Sequence, residues 1–298
     1  MINKLKHLKA RISNLINTVD KNYELLKEIR TCLLEQNNQN KQLVNRLETQ
    51  NEFLHKQIQE LSKEIKIITS YVATTRAVTK EILWSEIFNN TITDSQWLKD
   101  KRFSPGRWGV GYQYLYAVYR ILNEAKPKTI LELGLGQSTK MLAQYVLANS
   151  ATEHLIIEHD KSWIEFFTNE FDLPENSNIV QLELENSKFK EDDEVLSYKD
   201  FVKRLENKKF DFISIDAPFG GNAKIYARVD VLKILPQCLS ENFIIVIDDY
   251  NRKGEKNMVV EMEQILQENS IKYNKGVYAG EKECLVIVSP NNKFLISM

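Results

Sequence analysis

The first 104 residues contain neither proline nor glycine, the two residues that most often interrupt a helix. Apolar residues recur there at intervals of seven, with one asparagine in the series. The positions are Leu5, Ile12, Val19, Leu26, Leu33, Asn40, Leu47, Leu54, Leu61 and Ile68. A sustained heptad of this kind is typical of a coiled coil. We therefore expect a long helix over residues 1–75 that packs against other helices.

The companion core position of this heptad is apolar early and mostly polar later. It comprises Leu8, Leu15, Asn22, Ile29, Gln36, Leu43, Gln50, Gln57, Glu64 and Tyr71. A helix of about 70 residues is about 105 Å long, too long to fold back as one piece on a small domain. We expect a homo-oligomer, whose number of helices the mixed core residues leave open. Asn22 and Asn40 either fix the register of the helices or only weaken their packing.

Beyond residue 112, short apolar runs alternate with stretches of helical character. We expect a helix over 112–126, and helices between the strands that follow. The predicted strands are 129–133, 155–158, 179–182, 210–216, 243–248 and 284–289, and a last strand near 272–276 would form an antiparallel hairpin with 284–289. Strands that are continuously apolar are typical of a parallel sheet covered on both faces. The sequence therefore predicts an α/β domain over 112–298.

The segment 130–139, Ile-Leu-Glu-Leu-Gly-Leu-Gly-Gln-Ser-Thr, reads as a buried strand that ends in a Gly-x-Gly turn and continues into a helix. Glycines let a ligand approach the backbone closely, and the free amides of the helix start point into the same space. A dinucleotide-binding fingerprint requires a third small residue, where this chain has Thr139. A nicotinamide site and an ordinary strand-to-helix turn remain alternatives.

With Glu132 two residues before the first glycine, this segment resembles motif I, E-x-G-x-G, of class I S-adenosylmethionine-dependent methyltransferases. The resemblance implies a Rossmann-like methyltransferase domain with a mostly parallel seven-stranded sheet. It also implies that S-adenosylmethionine is the cofactor. The cofactor-binding residues would be Glu132, Gly134, Gly136, Ser138, Thr139, Glu158 and Asp216.

Glu158 closes the next predicted strand about 20 residues after the glycine turn, where such folds place the acid that binds the ribose hydroxyls. By the resemblance, Glu158 is the ribose ligand. The alternative is a solvated carboxylate at a strand end. Trp163 follows closely and either stacks on the adenine or simply packs in the domain.

Acidic residues end two later strands, Asp216 at the first and the pair Asp248 and Asp249 at the second. Adjacent strands lie about 4.8 Å apart, so these carboxylates should meet at one edge of the sheet. Their mutual repulsion would be relieved by a divalent ion with oxygen ligands, such as Mg²⁺ or Mn²⁺. We expect all three to be catalytic residues and metal ligands.

The segments 215–220, Ile-Asp-Ala-Pro-Phe-Gly, and 249–256, Asp-Tyr-Asn-Arg-Lys-Gly-Glu-Lys, carry a further resemblance. They are similar to the glucuronoxylan 4-O-methyltransferase family. The strand ends Ile215-Asp216 and Ile247-Asp248-Asp249-Tyr250 resemble metal-dependent sugar O-methyltransferases of the macrolide-tailoring type. The glucuronoxylan family has histidine at the position of Asp248, which makes Asp216 and Asp249 the better metal ligands. The resemblance implies a metal that binds a sugar hydroxyl and aligns it for attack on the methyl group.

Residues 76–111 form the predicted helical linker, whose glycine-rich end could close over the site as a lid or could simply join two domains. Arg107 in this segment is a candidate substrate-binding residue, together with Tyr250 and Arg252. The general base stays unassigned, with a metal-bound carboxylate such as Asp248, or Tyr250, as the candidates. The alternative for Arg252 is a surface ion pair with Glu255.

The composition narrows the possible functions. The net charge of −1 gives no basic bias toward nucleic acid, and no apolar stretch reaches the length of a membrane span. Three well-separated cysteines suggest neither disulfides nor zinc, which fits the cytoplasm. We expect an O-methyltransferase of surface-glycan or polysaccharide biosynthesis, whose coil could also bind other enzymes of that pathway. The alternatives are a scaffold protein with an inactive domain and a methyltransferase for a non-sugar acceptor.

Overall fold

The computed structural model describes residues 2–106 and 109–297. The chain divides into two compact units, Met1–Ala73 and Thr74–Met298. The long predicted helix is confirmed as helix α1, Ile2–Ile92. From residue 6 to the end of the first unit its large apolar side chains are exposed, for example Leu26 at 64% and Leu54 at 52%. Among the described residues, no helix combines the length and apolar character needed to cross a bilayer.

The second unit continues with five further helices and nine strands among the residues that the structure describes. They are α2 Tyr112–Arg120, β1 Thr129–Leu133, α3 Gln137–Ala148, β2 Glu153–Glu158, α4 Lys161–Glu170, β3 Ser177–Gln181, β4 Leu184–Phe189, β5 Asp192–Tyr198, α5 Phe201–Leu205, β6 Phe210–Ile215, β7 Leu239–Ile247, α6 Lys253–Glu268, β8 Asn274–Ala279 and β9 Glu283–Val288. A π-helical turn, Ile121–Ala125, extends α2, and short 3₁₀ helices cover Val229–Lys233 and Pro290–Ile296.

Seven of the described strands form one sheet in the order β3-β2-β1-β6-β7-β9-β8. Strand β9 runs antiparallel to both its neighbours, β7 and β8, and the other pairs are parallel. The predicted mostly parallel α/β sheet, with an antiparallel hairpin at its end, is therefore confirmed. This order brings the carboxyl ends of β1, β2, β6 and β7 to one edge.

Apolar side chains cover both faces of the sheet because successive residues of a strand point to opposite sides. Ile213 and Ile245 pack on one face in a cluster with Met258 of α6. Phe212 and Ile244 pack on the other face in a cluster with Tyr114 of α2. The central strands are thus buried on both sides, which explains why their sequences are continuously apolar.

The end of α1 belongs to the core of the second unit. Trp84, Phe88 and Ile92 are buried among the residues that pack on α2. The Trp84 indole Nε1 donates a hydrogen bond to the Ala279 carbonyl oxygen in β8, at 3.0 Å. Residues 74–92 are therefore a packed part of this unit.

The segment between β3 and β6 differs from the predicted strand–helix alternation. It forms a two-stranded antiparallel sheet of β4 and β5, followed by the five-residue helix α5. These strands mix charged and apolar residues, and Val195 and Tyr198 are the side chains by which β5 joins the core. The prediction of helices between all the strands was wrong here.

Candidate active site

A cavity of about 590 Å³ lies at the carboxyl edge of the sheet. It is lined by Ser104, Pro105, Gly106, Gly109, Val110, Gly134, Leu135, Gly136, Gln137, Glu158, His159, Trp163, Asp216, Ala217, Phe219, Arg228, Asp249, Arg252 and Lys282. A smaller cavity of about 360 Å³ adjoins Thr129 and Glu153, at the opposite ends of β1 and β2. Ligands of open α/β sheets bind at the carboxyl ends of the strands, so the larger cavity is the candidate site.

The two glycines of the turn after β1 serve different purposes. Gly134 has a φ of +103°, and a Cβ there would lie 3.0 Å from the Cβ of Ala217. Its amide donates to the Ile157 carbonyl oxygen at 2.9 Å, which ties the turn to β2. A Cβ on Gly136 would meet nothing within 4 Å. Gly134 therefore allows the turn itself, whereas Gly136 leaves room for a ligand.

Three of the predicted cofactor residues lie behind this turn. Glu132 accepts a hydrogen bond from the Ser138 hydroxyl at 2.6 Å, and its other oxygen lies 3.1 Å from His154 Nε2. The Thr139 hydroxyl accepts from the Gly136 amide at 2.8 Å. All three side chains are buried and are outside the cavity lining. They hold the turn in place and leave ligand contact to the backbone and to Gly136.

Glu158, at the end of β2, lines the cavity and is 4% exposed. One carboxylate oxygen accepts from the Leu135 amide at 3.0 Å, and the other accepts from the amides of His159 and Asp160. Burial raises the pKa of Glu158, but the hydrogen bonds from His159, Asp160 and Leu135 together lower it below its usual value. The carboxylate is therefore ionised at neutral pH and can accept further hydrogen bonds from a ligand hydroxyl.

Trp163, for which the sequence left adenine stacking and plain packing as alternatives, lines the cavity. Its indole Nε1 donates to the Leu135 carbonyl oxygen at 2.7 Å, and 38% of the residue is exposed. The ring stacks on Phe166 with a centroid separation of 5.3 Å. Trp163 thus fixes the backbone of the glycine turn and still presents an aromatic surface to the cavity.

The predicted meeting of Asp216, Asp248 and Asp249 is present in the structure. One carboxylate oxygen of each lies within 4.8 Å of the others. Strand pairing accounts for this, because the Asp216 amide donates to the Leu133 carbonyl oxygen and the Asp248 amide donates to the Ile215 carbonyl oxygen. Asp216 and Asp249 line the cavity, whereas Asp248 is fully buried.

Arg228 occupies the middle of this acidic cluster. Its Nη2 donates to Asp216 at 3.1 Å and to Asp249 at 2.9 Å. Its Nη1 and Nε donate to the carbonyl oxygens of Asp248, Ile215 and Pro218, at 3.0, 3.4 and 3.3 Å. The residue is 2% exposed, and all five guanidinium N–H groups have an acceptor.

Two further cations and one further acid complete the network. Arg252 Nη1 lies 2.7 Å from an oxygen of Asp249, and Lys282 Nζ lies 3.7 Å from Asp248 and 3.5 Å from Asp249. The buried Glu255 lies 3.6 Å from Arg228 Nε and 3.8 Å from Arg252. Four carboxylates thus face three cations, so the cluster has a formal charge of −1 when all are ionised.

Burial raises the pKa of three of these acids, Asp216, Asp248 and Glu255. The pKa of Asp216 is about 6, because burial and the neighbouring Asp249 outweigh the attraction of Arg228. The pKa of Asp248 is about 8, because of burial and the neighbouring Asp216 and Asp249. Neither carboxylate oxygen of Asp248 has a hydrogen-bond partner among the residues that the structure describes.

The three-carboxylate metal site stays a prediction, and the cations paired with these acids argue against it. A divalent ion bound to Asp216, Asp248 and Asp249 would take two acids from a buried guanidinium and would lie close to Lys282 and Arg252. Cations of the chain relieve part of the repulsion that the sequence suggested a metal would relieve, although the pKa values of Asp216 and Asp248 stay raised. Sequence reasoning missed Arg228 and Lys282 because one lies in a long loop and the other in a charged hairpin turn, where such residues are usually solvated.

Of the three predicted substrate-binding residues, Arg252 lines the cavity and Tyr250 does not. The Arg252 guanidinium lies 5.9 Å from the centre of the Phe219 ring. Tyr250 packs against the core and lies beneath Lys256, outside the cavity lining. Arg107 lies outside the described residues.

The described part of the predicted lid forms one wall of the cavity. Ser104, Gly106 and Val110 belong to its lining. The Ser104 amide donates to the Gln137 side chain at 3.0 Å, and Lys282 Nζ donates to the Gly109 carbonyl oxygen at 2.9 Å. This wall is therefore attached both to the start of α3 and to the acidic cluster.

No family model matches the sequence, and no curated protein matches it either. The chain is similar to the solved structure of an O-methyltransferase from Bacillus cereus in complex with SAH, with 15% identity, 73% of this chain and 99% of that chain covered, and a TM-score of 0.46. It is also similar to the SAH-bound methyltransferase PaMTH1 from Podospora anserina, with 18% identity, 69% of this chain and 87% of that chain covered, and a TM-score of 0.41. At these identities and TM-scores the likeness assigns neither an acceptor nor an activity to this chain.

Proposed function

We propose that this protein is an S-adenosylmethionine-dependent O-methyltransferase that methylates a sugar hydroxyl in glycan assembly. The observation that carries the proposal is that one cavity contains the open glycine turn with Glu158 and also the acids after β6 and β7. The first group suits a nucleoside with ribose hydroxyls, and the second suits an acceptor that must lose a proton.

The cofactor half of the cavity would bind the donor through backbone and side-chain contacts. Gly136 leaves space for the ligand, Glu158 accepts hydrogen bonds from the ribose hydroxyls, and Trp163 provides an apolar surface for the adenine. The sulfonium and its methyl group would then lie toward Asp216, which follows the strand beside β1.

The acceptor half would remove the hydroxyl proton. The acceptor oxygen attacks the methyl carbon, the carbon–sulfur bond breaks, and its electron pair remains on sulfur as a thioether. We assign the proton to Asp216, which lines the cavity and has a pKa of about 6, close to working pH. Asp248 is fully buried and lies outside the cavity lining, so it does not contact the acceptor in this proposal. The proposed reaction includes no divalent ion, because Arg228 already pairs with Asp216 and Asp249.

The sugar acceptor is proposed from the segments that are similar to sugar-methylating families. Ala217 and Phe219 from one segment and Asp249 and Arg252 from the other line the cavity beyond Asp216. Phe219 is 48% exposed, and an aromatic ring beside a polar group suits the apolar face and hydroxyls of a sugar. A small non-sugar acceptor is the second candidate, because the same ring would also accommodate a planar molecule.

The test combines binding with turnover. Calorimetry should detect S-adenosylmethionine and S-adenosylhomocysteine, and a labelled-methyl assay over sugars, nucleotide sugars and phenols should identify the acceptor. We expect Asp216→Asn to retain S-adenosylhomocysteine binding and to lose about 100-fold or more in kcat. A wild-type chain that binds neither compound would refute the proposal and favour the scaffold alternative. Turnover of phenols alone would replace the sugar with the second candidate.

The oligomeric coil, its contacts with other glycan enzymes and the cytoplasmic location remain predictions. We propose the homo-oligomer because the apolar heptad side chains from Leu8 onward in the first unit are exposed in the single chain. In such an assembly each copy would bring its own cavity.

A further inference from the structure

We propose that Arg228 is the resident cation of the carboxylate cluster, and that this chain therefore transfers methyl groups without a divalent ion. The claim that methyl transfer needs no divalent ion rests on the proposed function. The claim that Arg228 keeps divalent ions out of the cluster rests on geometry alone and is tested by Mn²⁺ binding.

Arg228 is fixed by the ends of the strands as well as by the acids. Three of its donors bind main-chain carbonyl oxygens, those of Ile215, Pro218 and Asp248. These oxygens belong to the backbone at the ends of β6 and β7 and remain in place when the acids are changed. Arg228 is therefore unlike a surface arginine that can swing away to admit an ion.

The guanidinium holds the two acids that face the cavity. One nitrogen, Nη2, donates to both Asp216 and Asp249, so a single planar group sets their separation. A divalent ion between these acids would draw them away from a guanidinium that is 2% exposed and would leave it with Glu255 as its one remaining carboxylate among the residues that the structure describes. A buried charge that loses its partners is strongly unfavourable, and repulsion from the ion would add to this.

Arg228 is consequently a positioning residue that acts through Asp216. All five of its N–H groups already have acceptors, so it has none left for the acceptor hydroxyl. Its contribution is to hold Asp216 in one orientation, so that the second carboxylate oxygen can take the proton. Arg252 and Lys282 are the further cations at this end of the cavity, and Lys282 donates to the Gly109 carbonyl oxygen.

The decisive experiment measures Mn²⁺ binding to the full-length protein by electron paramagnetic resonance. We expect wild-type protein to leave Mn²⁺ free at millimolar concentration. Arg228→Met removes the charge at nearly constant volume, and it should bind Mn²⁺ at least about tenfold more tightly than wild type, through Asp216 and Asp249. Adding Asp216→Asn to that variant should abolish the gain.

Arg252→Met is the matched control. Arg252 also pairs with Asp249, but it is partly exposed and lies at the edge of the cluster. This variant should leave the central guanidinium in place and should not gain Mn²⁺ binding. Tight Mn²⁺ binding by wild type that Asp216→Asn abolishes would overturn the proposal. If Arg228→Met fails to fold, the wild-type titration decides by itself.

The second measurement is the dependence of methyl transfer on divalent ions. Activity should survive dialysis against a chelator and should not rise when Mg²⁺ or Mn²⁺ is added. Arg228→Lys keeps one charge and loses the planar fork, so it should lower kcat by about tenfold or more while the Kd for S-adenosylhomocysteine changes less than about threefold. Activity lost on chelation and restored by either ion would overturn the proposal. A chain that neither binds Mn²⁺ nor methylates any acceptor would refute the proposed function and leave the assignment of Arg228 intact.

Discussion

Gly134 and Gly136 are two residues apart in the turn after β1, yet they should respond to substitution in opposite ways. Gly136 has an extended φ of −174° and faces open space. We expect Gly136→Leu to fold normally and to weaken S-adenosylhomocysteine binding at least about tenfold, because the new side chain fills the cavity. Calorimetry measures the affinity, and thermal unfolding measures the fold.

Gly134→Ala is the contrasting variant. Its φ of +103° and the contact of 3.0 Å with Ala217 should cost about 1–3 kcal/mol of unfolding free energy. Its effect should therefore appear in thermal unfolding first. Unchanged ligand affinity in Gly136→Leu would show that the ligand binds somewhere other than this turn.

Glu158 should make the stability of the second unit sensitive to acid. Its pKa is lowered in the folded state, so its contribution is complete above the usual value of 4.5 and is lost as the pH falls through the lower folded pKa. At neutral pH, Glu158→Gln should lose about 1–3 kcal/mol, because a carboxylate that accepts several amide hydrogen bonds is replaced. Thermal unfolding at pH 7 and below pH 4 should show the difference between wild type and variant shrinking. A constant difference would contradict this origin.

The site could be predicted from the sequence only where strands position the residues. Gly134, Glu158, Asp216 and Asp249 end strands of a parallel sheet, so their meeting followed from strand order alone. Arg228 comes from the long connection between β6 and β7, and no periodicity indicates where a loop side chain will point. The sequence therefore could not predict that a buried arginine pairs with these acids, on which the prediction of a metal depended.

At the scale of elements, the central strands were predictable because burial on both faces makes them continuously apolar. The predicted 129–133 coincides with β1, Thr129–Leu133, and the other strands of the large sheet differ only at their ends. The hairpin of β4 and β5 was missed because charged residues interrupt both strands. Only isolated apolar side chains of this hairpin pack in the core, so its sequence shows no continuous apolar run that would indicate a strand.

The end of α1 provides a test at this scale. Trp84 is 4% exposed and bonds to β8, whereas its neighbour Leu83 is 54% exposed. We expect Trp84→Ala to cost about 3–5 kcal/mol of unfolding free energy, and Leu83→Ala to cost far less. Chemical denaturation monitored by tyrosine and tryptophan fluorescence gives both values. Equal effects would mean that residues 74–92 are not part of the core of the second unit.

At the scale of the whole molecule, the exposed apolar side chains of the first unit indicate that other helices cover them in an assembly. Leu47 and Leu54 occupy successive first core positions of the heptad and are 51% and 52% exposed in the single chain. Burial of apolar area stabilises association by about 25 cal/mol per Å², so a stripe repeated over many heptads should favour assembly with other copies. We therefore expect wild-type protein to sediment at a multiple of its monomer mass of 34.8 kDa.

The combined variant Leu47→Asp and Leu54→Asp should dissociate this assembly, because each copy would place two buried charges at the seam of the coil. The control, Asn45→Asp with Thr49→Asp, adds the same charge at heptad positions outside the core and should keep the mass of wild type. Analytical ultracentrifugation distinguishes the two outcomes. A monomeric wild type, or an assembly that survives the core substitutions, would show that the heptad of α1 does not hold copies of this chain together. Since each cavity lies within one second unit, S-adenosylhomocysteine binding per chain should be the same in the dissociated variant and in its control.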